Sequence, residues 1–448
     1  MSRLRTTLAP GIGSVLVLLV LTFASHAQAF PAFARKYGTS CSACHVGWPI
    51  FNQVGQSFRD NGYQLNLGKD DPVAQPQSYL PIAIRATPAY QFTRTTNQAA
   101  DGDAPGSRAV TTRTGGVPIP PGLDILTGGL VAKDISFLVV VSGFGPDGTA
   151  SLESAWARLD NLAGTGWLNV KIGKFELDQP ASSHRNVTLT TGYAVYSAHP
   201  QGSIVGFDYG DNQVGVELDG HDARSTTRYS VSFTSADATV GSSGGWSSPM
   251  VYGHVQRAFE LPTVVVPWVR VGALGGVGWW PTRFETNGLD AAGNPVPIPG
   301  TGRDQRRFYR AGSELAWMMG YPSTPLLFTV AYMYGREDAG LAGDGSAANS
   351  FNGGFAELDW VPFSRPRYDA TPWLFFARYD LVRFRHGLGD VDGGTIGAKR
   401  YIALGPRAAA AIHVEGHIDR AKGASPVPAD TPFDVVTQSA LAGIDFDF

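Results

Sequence analysis

Both cysteines of this 448-residue chain, Cys41 and Cys44, stand three apart with His45 directly after them, in "GTSCSACHVGW". Cys-x-x-Cys-His is the spacing of c-type haem attachment. Each thiol adds across one haem vinyl group to form a thioether. The adjacent imidazole is then held beneath the ring, where it can ligate the iron, and iron so ligated cycles between two oxidation states. A bare Cys-x-x-Cys also suits a redox dithiol or half a zinc site. The chain has no second such pair, and no strand–helix redox pattern surrounds this one. The expectation is one covalent haem c on Cys41 and Cys44, with His45 as proximal iron ligand.

The usual sixth ligands are missing nearby. Between Phe30 and Ser183 there is no Met, and no His other than His45. The distal candidates are His184, in "LDQPASSHRN", and His199, in "SAHPQG". Strand parity would put the first on the external side and the second on the periplasmic side. Other barrel histidines, Lys36, the Phe30 amine and an empty sixth position complete the set.

A helix is expected directly after the motif. Pro49 suits a first helical position, Ile50, Val54 and Phe58 make one face with Phe51 alongside, and Gly62 fits a C-terminal cap. Residues 30–79 form a unit of roughly 50 residues, which seldom builds an adequate core alone. A large apolar macrocycle worsens that shortage, so the segment should lean on the rest of the chain.

Residues 1–29 read as a signal peptide: Arg3 and Arg5, a short apolar run, then "AQA" before Phe30. Its removal takes away two positive charges and moves the net charge from −3 to −5. With no basic stripe, a nucleic-acid partner is not expected.

From Leu80 to Phe448 the chain alternates with period two. In "TPLLFTVAYMYG", Leu326, Phe328, Val330, Tyr332 and Tyr334 make one face, with Leu327, Thr329, Ala331, Met333 and Gly335 on the other. "RFYRAGSELAWMM" and "WLNVKIGKF" repeat the pattern. Such strands of about ten residues, with aromatics near their ends, mark a transmembrane β-barrel. Connections alternate between tight (Lys133 and Asp134; Leu261 and Pro262) and long (97–120, 281–304, 337–349). The terminal "LAGIDFDF" puts Ile444, Phe446 and Phe448 on one face, like the closing strand of outer-membrane barrels. About 18 candidate strands are countable, depending on whether residues 399–418 are one strand or two broken at Gly405 and Pro406. Single-chain barrels have even counts. The expected fold is therefore all-β: an antiparallel barrel of 16–18 strands, with a short helical haem c segment as plug or cap at the periplasmic mouth or in the lumen. Inward-facing Glu314, Glu357, Asp359 and Asp380 would pair with Arg310 and Arg378, either as an ordinary charged lumen or as hard oxygen donors guiding iron(II).

The stretch "FPAFARKYGTSCSACHVGWPIFNQVGQSFRDNGY" ahead of such a barrel resembles the fused monohaem cytochrome–porins of the outer membrane. The likeness rests on Pro31, Phe33, Ala34, Arg35, the CSACH, Pro49, Asn52, Gly55, Phe58, Gly62 and Tyr63, and is aided by "KIGKFELDQP". The best-known members of that family are proposed iron(II) oxidases. The resemblance implies a haem lodged in or against the barrel, carrying electrons between an extracellular partner and periplasmic c-type cytochromes. Substrate does not transfer with fold. A diffusion porin with a structural or sensory haem plug, and an outward metal-reducing conduit, are the competing expectations.

Overall fold

The computed structural model describes residues 31–65, 70–73, 80–99, 109–117, 122–144, 150–200, 203–236, 248–261, 267–281, 284–289, 295–299, 305–321, 323–341, 348–362, 373–385, 389–404, 409–425 and 433–447. The expected signal peptide, the Phe30 amine and Phe448 lie outside them.

The wall is one closed antiparallel sheet. Its strands, in chain order, begin with β1 (Ile82–Ala86 and Ala89–Ala99) and β2 (Ala109–Gly116 and Leu123–Ala132). β3 (Ile135–Phe144), β4 (Ala150–Leu159), β5 (Asn169–Phe175), β6 (Gln213–His221), β7 (Thr227–Ser235), β8 (Pro249–Glu260) and β9 (Trp268–Pro281) follow. The circuit ends with β10 (Gln305–Met319), β11 (Leu326–Glu337), β12 (Asn349–Trp360), β13 (Trp373–Phe384), β14 (Val391–Leu404), β15 (Ala409–Ser425) and β16 (Phe433–Asp447). β16 closes the sheet by pairing with both pieces of β1.

Among the described residues the wall thus has 16 strands, the lower of the two expected counts. Two wall strands are interrupted, so the sheet is written in 18 segments. β1 is broken at Thr87 and Pro88, where proline has no N–H to give the ladder, and β2 has two pieces; both pieces of β1 pair with β16 in one continuous register, while the β1–β2 register shifts between the pieces. A separate hairpin, Phe284–Leu289 with Pro295–Pro299, belongs to a connection and not to the wall. Residues 399–418 are two strands, separated at 405–408. The connection after Leu261 runs to Pro267 and is not a two-residue turn, whereas Lys133 and Asp134 do make one.

Polarity across the wall is reversed relative to a soluble core. On β14, Ile396 is 69% exposed while Lys399, on the other face, is 1% exposed. On β11, Tyr332 and Tyr334 face out and Ala331, Met333 and Glu337 are buried, as the alternation predicts. No helix among the described residues is long and apolar enough to cross a membrane. An apolar exterior over a charged interior is the arrangement by which strands do so.

The lumen is not open water. The connection between β5 and β6, residues 176–212, folds inward, a feature the loop lengths do not reveal. Leu177, Tyr193, Val195, Tyr196, Val205, Phe207 and Tyr209 from it pack against inward-facing Phe175, Met250, Tyr252, Phe308, Met333, Phe351 and Phe355. Two wall residues clamp its midpoint. Arg378 donates to Thr188 Oγ1 (3.0 Å) and to the carbonyls of Thr191 (3.1 Å) and Gly192 (2.8 Å), with its guanidinium 4.5 Å from the Tyr193 ring. Glu415 accepts from the amides of Leu189 (2.8 Å) and Thr190 (3.0 Å). Arg378→Ala would leave Asp380 and Glu357 without their buried cation. The expected cost is about 3–5 kcal/mol, read as a lower unfolding temperature in detergent and a higher ion conductance in planar bilayers.

Candidate functional site

Residues 31–65 sit inside the mouth that carries the short turns and both ends of the wall. Helix α1 (Pro31–Tyr37) and helix α2 (Gln53–Asp60) flank the cysteine motif. Phe33, Tyr37, Phe58 and Tyr63 form one aromatic cluster, with ring centroids 4.7–5.6 Å apart. Tyr63 extends it to Trp156 on β4 (6.0 Å). This small cluster is the segment's own core, and the wall supplies the rest. Val46, Trp48 and Ile50 pack against Val361, Leu374, Phe376, Tyr401 and Ala411 of the wall and Val187 of the lumen loop. Tyr401 donates to the Trp48 carbonyl (2.8 Å).

The expected helix begins later than Pro49. His45–Gly47 and Ile50–Phe51 pair with each other, which removes residues 50 and 51 from the helix. Asn52 then takes the N-cap position, its Oδ1 accepting from the Gly55 amide (3.0 Å). Its side-chain NH2 donates to the Ala43 carbonyl (3.0 Å), and its backbone N–H donates to the Cys44 carbonyl (3.0 Å). One residue thus starts the helix and ties it to the cysteine turn. Val54 is half exposed, so the apolar face of α2 is narrower than expected; Phe58 is buried. Gly62 has φ +66°, as a residue just past a helix end often does. Gly55 is required by proximity, since a Cβ there would lie 2.1 Å from the Cys44 carbonyl oxygen.

Cys41–Ala43 form a 3-10 turn, closed by the Cys44 amide donating to the Cys41 carbonyl (3.0 Å). Side chains at i and i+3 eclipse in a regular turn of this kind, an arrangement that favours both sulfurs on one side. They are not joined as a disulfide, and burial pushes the Cys44 thiol up, away from the thiolate character of a redox dithiol. His45 is stacked on Phe51 and set edge-on to Trp48, each at 4.8 Å. Its Nδ1 meets the Pro49 carbonyl at 3.2 Å. A carbonyl only accepts, so Nδ1 carries the proton and Nε2 keeps its lone pair. Burial lowers the His45 pKa to about 4. The imidazole is neutral at physiological pH, as metal ligation requires.

Cys41, Cys44 and His45 line a cavity of about 510 Å³ between the segment, the wall and the lumen loop. Phe51, Phe175, Leu177, Val187, Tyr193 and Tyr401 give it apolar walls. Arg59, Arg158, Arg185, Arg228 and Arg270 add cations. Flat apolar walls, two cysteines spaced i and i+3, a neutral imidazole and nearby guanidiniums form a donor set that fits a haem with its two propionates. A metal held by side chains alone finds no comparable place. No group of three or more His, Cys, Asp or Glu able to hold a metal ion occurs among the described residues.

The distal candidates separate. His184 lines this cavity, whereas His199 lies elsewhere, its Nδ1 3.3 Å from Glu337 at the long-loop end of β11. Both belong to the single connection 176–212. The expected assignment of His184 and His199 to opposite sides of the membrane therefore fails, because no wall strand intervenes between them. Lys36 donates to the Asp71 carbonyl (3.0 Å). The expected carboxylates Glu314, Glu357, Asp359 and Asp380 are inward and buried. Their partners differ in part from expectation. Arg378 does meet Asp380 (2.7 Å) and Glu357 (3.8 Å), but Arg310 pairs with Glu337 (3.1 Å), and Glu314 faces Arg270 (3.4 Å) and His254 (3.8 Å).

Asp60, at the end of α2, pins the segment to the wall. Burial alone would raise its carboxyl, but Arg228 and Arg59, with the Gln56 amide, hold it at about 2. The Asp60 carbonyl also accepts from Arg158 (2.6 Å). Because the docked pKa is depressed, the anchoring contribution is full above pH ~4, where a free carboxyl is ionised. It is lost as pH falls toward 2. Protease sensitivity of residues 31–65 should rise through that window in the wild type and lose the dependence in Asp60→Asn. Asn52→Ala removes the cap and is expected to cost about 1–2 kcal/mol, seen as easier proteolysis of the same segment at neutral pH.

No protein-family profile and no curated protein matches the sequence. Among solved structures, the chain is similar in outline to an anion-selective porin from Comamonas acidovorans. The two are 13% identical, with 82% of this chain and 98% of that chain covered at a TM-score of 0.48. It is also similar to OprB of Pseudomonas putida: 9% identical, 82% and 94% covered, TM-score 0.47. For OmpF of Salmonella typhi, solved with daunomycin, the values are 10% identity, 82% and 97% coverage, and a TM-score of 0.44. The likeness is one of fold alone.

Proposed function

We propose that the protein is an outer-membrane electron-transfer cytochrome, in which one haem c on Cys41, Cys44 and His45 occupies the cavity at the short-turn, periplasmic mouth of the barrel. The observation that carries this reading is the meeting of three features at one place. These are two cysteines spaced i and i+3 across a 3-10 turn, His45 with Nδ1 engaged by the Pro49 carbonyl, and a large apolar cavity that all three residues line. When bound, the haem supplies a one-electron couple. The protein's own part is to orient His45 through Pro49, exclude water with Phe51, Trp48 and Tyr401, and hold the segment in the mouth through Asp60 and Tyr401.

The substrate proposed is extracellular iron(II). Each iron(II) would give up one electron and leave as iron(III), and the electron would pass by way of the group held at Cys41, Cys44 and His45 to a periplasmic c-type cytochrome as oxidant. No proton-transfer group is required. The packed lumen supports this reading over a diffusion porin, because Tyr193, Tyr196, Phe207 and Tyr209 of the inward loop occupy space that a solute would need. An outward metal reductase would use the same parts in reverse.

In the purified protein, haem absorbance should survive acid-acetone extraction, and Cys41→Ala or Cys44→Ala should remove one thioether, visible as a shifted pyridine haemochrome band. Stopped-flow mixing with iron(II) should reduce the haem. Failure of iron(II) to reduce it, with electron flow from reduced haem to external iron(III), would assign the outward direction. Solute permeation with no spectral change would assign a porin.

A further inference from the structure

The cavity has a second histidine, and its setting is unusual. His184 lies on the lumen loop, lines the same cavity as His45, and its Nε2 is buried with no hydrogen-bond partner. A buried imidazole nitrogen normally finds a donor or acceptor. One left unsatisfied at a cavity wall marks a missing partner.

The backbone around it is held by carboxylates. Glu176 accepts from the Ser183 amide (2.8 Å), the Ser182 hydroxyl (2.9 Å) and the His184 amide (3.3 Å). Arg185, the next residue, pairs with Glu153 on β4 (2.9 Å). Three residues on, Val187 is packed in the cluster that contains Val46, Trp48 and Ile50, the residues flanking His45. The loop therefore reaches across to the cysteine segment and fixes His184 from both sides.

Elimination points the same way. Among the described residues, the histidines lining the cavity are His45, His184 and His221. His221 differs from His184: its ring packs against Gly166 in the turn after β4, with Nε2 3.4 Å from where a Gly166 Cβ would stand, and its Nε2 is not a buried nitrogen without a partner. His254 also has an unpartnered Nε2, but it sits 3.8 Å from Glu314 and does not line the cavity.

We infer that His184, through Nε2 from the lumen loop, would be the second protein ligand to the haem iron, with Glu176 and the Arg185–Glu153 pair as positioning residues. This rests on the haem reading above. It makes the site a bis-histidine one whose two ligands come from different parts of the fold, the leading segment and the inward loop.

The test is spectroscopic, on the full-length protein in detergent. Wild type should be six-coordinate and low-spin in both oxidation states. His184→Ala should become high-spin, with a charge-transfer band in the red of the ferric spectrum, and added imidazole should restore the low-spin form. His184→Met should stay low-spin with a raised midpoint potential, since thioether ligation favours iron(II). Glu176→Gln should give a mixture of high- and low-spin forms. His221→Ala should match wild type, and heat-modifiable gel mobility should confirm that every variant barrel is folded. A folded His184→Ala with an unchanged spectrum, a high-spin wild type, or loss of the low-spin form in His221→Ala instead would overturn the assignment. Absence of covalent haem from wild type would defeat the underlying reading itself, so the two failures are distinguishable.

Discussion

The organising constraint is the reversed polarity of a closed wall. A sheet whose outer face is apolar must point its charged alternate residues inward, where Arg310, Glu314, Glu357, Asp359, Arg378, Asp380, Lys399 and Glu415 all lie buried. A buried charge without a partner is expensive. A wide lumen filled with water would solvate these groups. Here part of the solution is a polypeptide: Arg378 and Glu415 are met by backbone groups of residues 189–192 and the Thr188 hydroxyl, and Asp380 by the Ala194 amide (3.1 Å). The charges that make the wall a membrane wall are the same ones that hold the inward loop.

The same relation holds at the other end. Residues 31–65 have one small aromatic cluster and two short helices, too little for independent stability. Their deficit is met by Val361, Leu374, Phe376 and Tyr401 on the apolar side, and by Arg158 and Arg228 on the polar side. The segment and the wall form one unit in which neither contact set alone would hold the cysteine turn in place.

How much of this was legible follows from the range of each interaction. The Cys-x-x-Cys-His order and the period-two alternation are local, so Cys41, Cys44, His45 and the faces of β10 and β11 can be read directly. Asn52 is also local, but its capping role is hidden, because Pro49 offers a competing start and only the pairing of His45–Gly47 with Ile50–Phe51 removes that option. Residues 80–92 read as one strand across Pro88, and both pieces do belong to one wall strand paired with β16. The inward path of residues 176–212 leaves no local sign. Its destination is set by Arg378 and Glu415, some 190 and 225 positions away. His184 and His199 look equivalent for that reason, and only the tertiary path separates them.

Enclosure of the cysteine turn sets an order on biogenesis. Once the barrel has closed and Tyr401 and Asp60 have docked the segment, Cys41 and Cys44 lie partly buried at a recess bounded by wall and loop. Anything joined covalently to those sulfurs has to be joined while the leading peptide is still extended, ahead of membrane insertion.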